Sequence, residues 1–231
     1  MFVTALLVGL FASSALVIGG VVGAFVKPSQ KIIAVLLGFA AGALITALAF
    51  DLFEEAFSIG GPWLASGGLV AGALVFVGAT ALLDRYASGT SGFYLLASII
   101  LDGVPENLAL GVALIGKSFV GILALVVAIF FSNLPEALGG AANMRESGRS
   151  RRFVVGAWVA TALLLALMVV LGNTLFSGLG EAPLAFLRAF AAGAVLSSLA
   201  EALMPQAYGQ GGKVVALATT AGFLLTFVIT Q

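Results

Sequence analysis

Leu101-Asp102-Gly103-Val104-Pro105-Glu106 and Phe131-Ser132-Asn133-Leu134-Pro135-Glu136 decide how this chain is read. Each segment lies inside a long apolar stretch, and each places a proline directly before a glutamate. An ionised carboxylate near the centre of a bilayer costs about 2.5–3.5 kcal/mol on insertion scales. A chain that bears this cost twice, in two look-alike helices, is expected to bind something positive there. The pattern points to a polytopic membrane protein.

Composition agrees. Of the 231 residues, 61% are hydrophobic and 9% charged, against about 25% charged in a soluble domain. Short connections leave no room for a soluble domain. The formal net charge of +0 gives no reason to expect nucleic acid as a partner. There is no cysteine, which excludes disulfides and thiolate metal sites, and no histidine, the usual zinc ligand. Any metal site must therefore be built from oxygens, or from a methionine sulfur. Residues 1–26 lack a basic opening and are too apolar for too long to be a signal peptide, so they read as the first spanning helix.

A spanning helix needs about 20 apolar residues. The predicted fold is all-α, with eight transmembrane helices at 2–26, 31–58, 62–83, 92–115, 118–144, 152–172, 181–207 and 212–230 in a single domain covering 1–231. Lys27-Pro28-Ser29, Gly60-Gly61-Pro62, Ser88-Gly89-Thr90-Ser91-Gly92, Glu146-Ser147-Gly148 and Gly209-Gln210-Gly211-Gly212 punctuate them. Lys27, Lys31, Arg85, Arg145, Arg149, Arg151, Arg152 and Lys213 fall on one side, and only Lys117 and Arg188 on the other. That bias predicts both termini outside. Arg188 is placed to snorkel to the outer interface.

Two internal repeats stand out. Phe39-Ala40-Ala41-Gly42-Ala43 in the second helix matches Phe190-Ala191-Ala192-Gly193-Ala194 in the seventh at a constant offset of 151 residues. Pro105-Glu106 and Leu108 match Pro135-Glu136 and Leu138 at an offset of 30. The partners should run in opposite directions, the mark of inverted repeats. Helices 1–3 are thus paired with 6–8 around a central 4/5 pair.

Asp102 and Glu106 are four residues apart and share a helical face. Like charges there tolerate each other when a cation bridges them or one takes a proton. Pro105 frees the carbonyl of Leu101, and Pro135 that of Phe131. Ser132 and Glu136 repeat the four-residue spacing, and Asn133 adds an amide oxygen. If the two helices face each other, Asp102, Glu106, Ser132, Asn133 and Glu136 supply an oxygen shell suited to a divalent cation. The plainer alternative is that the prolines kink helices whose acids bond to backbone groups. No basic residue lies in either helix at that depth to neutralise them. Asn107 is a further candidate ligand.

These motifs resemble the ZIP (Zrt/Irt-like) family of divalent metal transporters. Its fourth helix carries His-Asn-x-Pro-Glu and its fifth a related Pro-Glu run. The resemblance extends to Asp51-Leu52-Phe53-Glu54-Glu55-Ala56 at the end of the second helix and to Glu201 before Leu-x-Pro in the seventh. It implies a primary site of Asp102, Glu106, Ser132 and Glu136. Asn133 with both glutamates would form the remnant of a second site, which Gly103 and an acid-free sixth helix weaken. It also implies that helices 1, 4, 5 and 6 carry metal past a scaffold of 2, 3, 7 and 8 in an elevator, in a homodimer in the inner membrane, toward the cytoplasm. Aspartate in place of the family's histidine favours harder cations such as Mn²⁺. Zn²⁺ stands first by family, with Mn²⁺ or Fe²⁺ next and Cd²⁺ as a further substrate.

Asp51, Glu54 and Glu55 read either as an interfacial acidic cap or as a mouth that attracts cations, and Glu201 as pathway lining. Gly38-x-x-x-Gly42 and Gly68-x-x-x-Gly72 permit close packing, within the chain or across a dimer. No enzyme is expected, since histidine-dependent sites cannot form, and no ATP-binding loop is present. A proton-coupled carrier of another solute and a non-transporting metal sensor are the rival readings.

Overall fold

The computed structural model describes residues 2–86 and 92–230, and all their regular structure is helical. The predicted turn at Ser88-Gly89-Thr90-Ser91 lies outside the described residues. Five stretches are long and apolar enough to cross a membrane: Phe2–Phe25, Gln30–Arg85, Val120–Glu146, Arg151–Phe176 and Glu181–Gly211. The 56 residues of Gln30–Arg85 are too many for one crossing, because about 20 suffice. The chain breaks this stretch at Gly61 (φ 73°, ψ 175°), a conformation open to glycine, and Pro62 then starts a new helix.

We label the helices α1 (Phe2–Phe25), α2 (30–60), α3 (62–86), α4 (Gly92–Ala113), α5 (Leu123–Glu146, after a 3₁₀ turn at Val120–Ile122), α6 (Arg151–Phe176), α7 (Glu181–Gly211) and α8 (Val214–Thr230). Several ends differ from expectation. α7 was expected to stop at 207, near Pro205, but runs to Gly211. A π turn at Leu199–Leu203 ends just before Pro205. The proline therefore sits in the first turn of the α-helix that resumes after the π turn. α6 likewise runs to Phe176 rather than 172. α4 ends at Ala113 rather than 115, and Gly116 (φ 81°) follows in the turn toward α5.

Packing gives two groups of helices joined by an extensive contact of α2 with α5. α1 lies against α5 and α6, and α4 against α6; α2 lies against α8, and α3 against α7. The groups meet where α2 touches α5 and α4 touches α7. Small residues set these approaches. A Cβ at Gly42 would overlap the carbonyl oxygen of Thr219, and one at Gly222 that of Phe39, so α2 and α8 touch backbone to backbone. A Cβ at Gly193 would overlap the carbonyl of Leu69, and one at Gly72 that of Phe190, so α7 and α3 touch in the same way. Both glycine motifs thus serve packing within the chain: Gly38 faces Val215 of α8, and Gly68 the Phe186 carbonyl of α7. Phe39 and Phe190, Gly42 and Gly193, and the first residues of the π turns, Leu48 and Leu199, all occupy aligned positions of the sequence repeat.

Candidate functional site

The site is built from α4 and α5, with α6 and α7 closing around them. Gly103 lets α4 settle on α6, since a Cβ there would stand 2.6 Å from Leu165 Cδ1. Glu106 is 6% exposed, and its Oε1 has no hydrogen-bond partner. Its carboxylate lies within electrostatic range of Glu136 and Asp102, and Glu136 within range of Asp102. The three acids named from the sequence therefore share one neighbourhood. In this arrangement they do not form a closed cage: among the described residues no three acidic side chains are gathered closely enough to hold a metal ion.

The four-residue spacing on α5 forms the contact it allows, with Ser132 Oγ donating to Glu136 Oε1 at 3.2 Å. Asp102 is held from a different helix, since Ser198 Oγ of α7 donates to its Oδ1 at 3.0 Å. The sequence reading missed Ser198. Its signal was the Ser197-Ser198 pair in an otherwise apolar run. Asn133 is buried with its Nδ2 unpartnered. Asn107 is buried too, and its Nδ2 is engaged by the Gly103 carbonyl one turn back at 2.9 Å, while its Oδ1 has no partner. Glu106, Asn107 and Asn133 thus each leave a buried polar atom unsatisfied, and an unmet buried group costs about 1–3 kcal/mol.

Glu201 stands on the π turn of α7 and accepts from Thr80 Oγ1 of α3 at 3.2 Å. Thr80, Asp84, Asp102 and Glu201 line one cavity of about 210 Å³, so Asp102 is reached from the end of α3 that carries Arg85.

The acids at the end of α2 are arranged differently from a cation-attracting mouth. Glu55 is tied to two cations: Lys117 Nζ lies 2.6 Å from Oε2 and Arg188 Nη1 2.9 Å from Oε1. Asp51 is buried beside Lys117 and the backbone amide of Leu125. Only Glu54 is exposed to solvent. Arg188 does not snorkel. It is 4% exposed and donates from Nη2 to the Ile115 carbonyl at 3.1 Å. The snorkelling expectation failed because Glu55 offers a charge partner inside, and a paired, hydrogen-bonded guanidinium tolerates burial. Lys117 and Arg188, the two exceptions to the sidedness of basic residues, thus both pair with one acid, Glu55.

No family model matches the chain, and no curated protein matches it either.

Proposed function

We propose that the chain is a divalent metal transporter of the ZIP kind, carrying Zn²⁺, with Mn²⁺ or Fe²⁺ next, into the cytoplasm through an oxygen-ligand site between α4 and α5. The observation that carries this reading is Glu106: a buried carboxylate with an unpartnered oxygen, beside two further acids, in helices without a basic residue at that depth. A buried acid cluster of this kind needs a cation or protons. Asp102, Glu106, Ser132 and Glu136 are the proposed primary ligands, with Asn133 and Asn107 at its edge. Among the described residues these acids are not gathered onto one point, so binding one ion requires them to move together.

Eight crossings by α1 to α8, arranged as inverted repeats, are part of the proposal. The break at Gly61 supports dividing the longest stretch in two. The matched glycine contacts of α2 with α8 and of α7 with α3, at aligned positions, support the repeat. The division into α1, α4, α5, α6 and α2, α3, α7, α8 supports one group moving past the other. The cavity holding Glu201 and Asp102 is the proposed route toward the cytoplasm, and the Glu55 ion pairs close the other side. Both termini then face outward, and the protein resides in the inner membrane, as a homodimer.

The experiment is uptake of Zn²⁺, Mn²⁺, Fe²⁺ and Cd²⁺ into liposomes containing the purified protein. Flux of at least one metal that ranks above the others supports the proposal. No flux of any, from folded and inserted protein, contradicts it. Proton-coupled solute transport or metal sensing then takes its place.

A further inference from the structure

Far from the acidic site, a cavity of about 170 Å³ opens where α1 ends, α5 ends and α6 begins. Phe25, Lys27, Arg145, Glu146 and Arg151 line it. Three cations face one carboxylate, a local charge of +2 on a chain whose total is +0. Glu146 is committed to Lys27 at 2.6 Å, and this hydrogen bond and charge hold the Lys27 ammonium above its ordinary pKa. Among the described residues, Arg145 and Arg151 have no carboxylate of their own. Each is nonetheless positioned. Arg145 donates to the Arg149 carbonyl, and the Arg151 guanidinium lies 4.8 Å from the centre of the Phe25 ring.

The electrostatics of α6 sharpen the point. Arg151 and Arg152 occupy its first turn, which contains no acid. That end of a helix carries positive partial charge and amides without intrahelical partners, so it favours an anion and disfavours two cations. The side chain of the N-cap Ser150 satisfies only the amide of Phe153, at 3.2 Å. Arg149 adds further positive charge above the Phe153 ring. Sidedness of insertion accounts for basic residues near this end of the helices. It does not account for their convergence, with an aromatic floor, on one cavity. Beside the cavity, Val22, Phe25, Val26 and Phe153 are exposed apolar residues on α1 and α6. A charged recess bordered by an apolar face matches a phosphate headgroup attached to acyl chains, and basic recesses between helices at the cytoplasmic surface are suited to such headgroups.

We propose that this cavity is a binding site for the phosphate of an anionic phospholipid, held by Arg145, Arg151 and the first turn of α6, with the acyl chains along α1 and α6. The site requires that these helices cross a bilayer and does not depend on what the protein carries.

The test is native mass spectrometry of the full chain released from detergent containing phosphatidylglycerol and phosphatidylcholine in equal amounts. Wild type is expected to retain phosphatidylglycerol selectively. Arg145→Gln combined with Arg151→Gln should weaken that retention roughly 30-fold, at about 1 kcal/mol per basic residue near an anionic surface. Lys31→Gln combined with Lys213→Gln, which removes equal charge outside the cavity, should not. A phenylglyoxal footprint on wild type provides a check independent of variant folding: phosphatidylglycerol should protect Arg145 and Arg151 more than phosphatidylcholine does. Equal retention of the two lipids, selectivity that survives the double change, or no protection would overturn the proposal. Protection by inorganic phosphate equal to that by phosphatidylglycerol would also overturn it, by making free phosphate the ligand.

Discussion

Glu55 and Arg188 form an ion pair at 2.9 Å in which the arginine side chain is only 5% exposed. The same carboxylate holds Lys117, and the same guanidinium caps the Ile115 carbonyl. Three distant stretches of chain, the end of α2, the α4–α5 connection and the start of α7, are thereby fastened at one end of the molecule. Breaking a buried pair by removing one partner leaves an uncompensated charge and costs about 3–5 kcal/mol. Glu55→Gln should therefore lower the melting temperature in detergent markedly. Combining it with Arg188→Met should recover much of the loss. An unchanged melting temperature in Glu55→Gln would show that the pair contributes little.

The matched glycines give a second expectation. Gly42→Ala and Gly193→Ala each place a methyl group on a backbone carbonyl. Overpacking of that kind costs about 1–3 kcal/mol or more. The two changes should cost similar amounts if the two helix pairs are equivalent. Gly78→Ala, where nothing lies within 4 Å, should stay within about 1 kcal/mol of wild type. Thermal unfolding of the three variants checks this, and a large cost at only one of Gly42 and Gly193 would count against the inverted repeat.

These two results bear on what the sequence made legible. The Gly60-Gly61-Pro62 break and the spacing of Ser132 and Glu136 could be read directly, because backbone conformation and helical period are local properties. Asp102 and Glu106 share a face by their four-residue spacing, whereas their nearness to Glu136 depends on how α4 and α5 pack. The fate of Glu55 and Arg188 could not be read directly either, since a salt bridge between residues 133 positions apart depends on how helices pack. Ser198 was overlooked for the same reason. The glycine motifs were recognised, but periodicity alone does not say which helix a small-residue face meets.

Ser198 orients Asp102 without being a proposed ligand. Removing a hydrogen bond that orients a metal ligand typically lowers affinity roughly 10–100-fold. Ser198→Ala should weaken metal binding by about the lower figure, measured by titration calorimetry, while leaving the melting temperature of the metal-free protein nearly unchanged. Unaltered affinity would mean that Asp102 does not bind the ion.

Asp102 also governs the choice of metal in this account. Asp102→His exchanges a hard, charged oxygen ligand for a softer imidazole, which favours Zn²⁺ over Mn²⁺. The ratio of Zn²⁺ to Mn²⁺ uptake should rise in this variant. A ratio that stays constant while both rates persist would place Asp102 outside the coordination shell.

On the proposed function, ions cross this protein by way of the carboxylate of Glu106. The most direct measurement is the initial rate of Zn²⁺ uptake into liposomes, with wild type and Glu106→Gln inserted in equal amounts and shown to be folded. Wild type should show clear uptake, and Glu106→Gln a rate no greater than that of protein-free liposomes. Equal rates for the two proteins would contradict this.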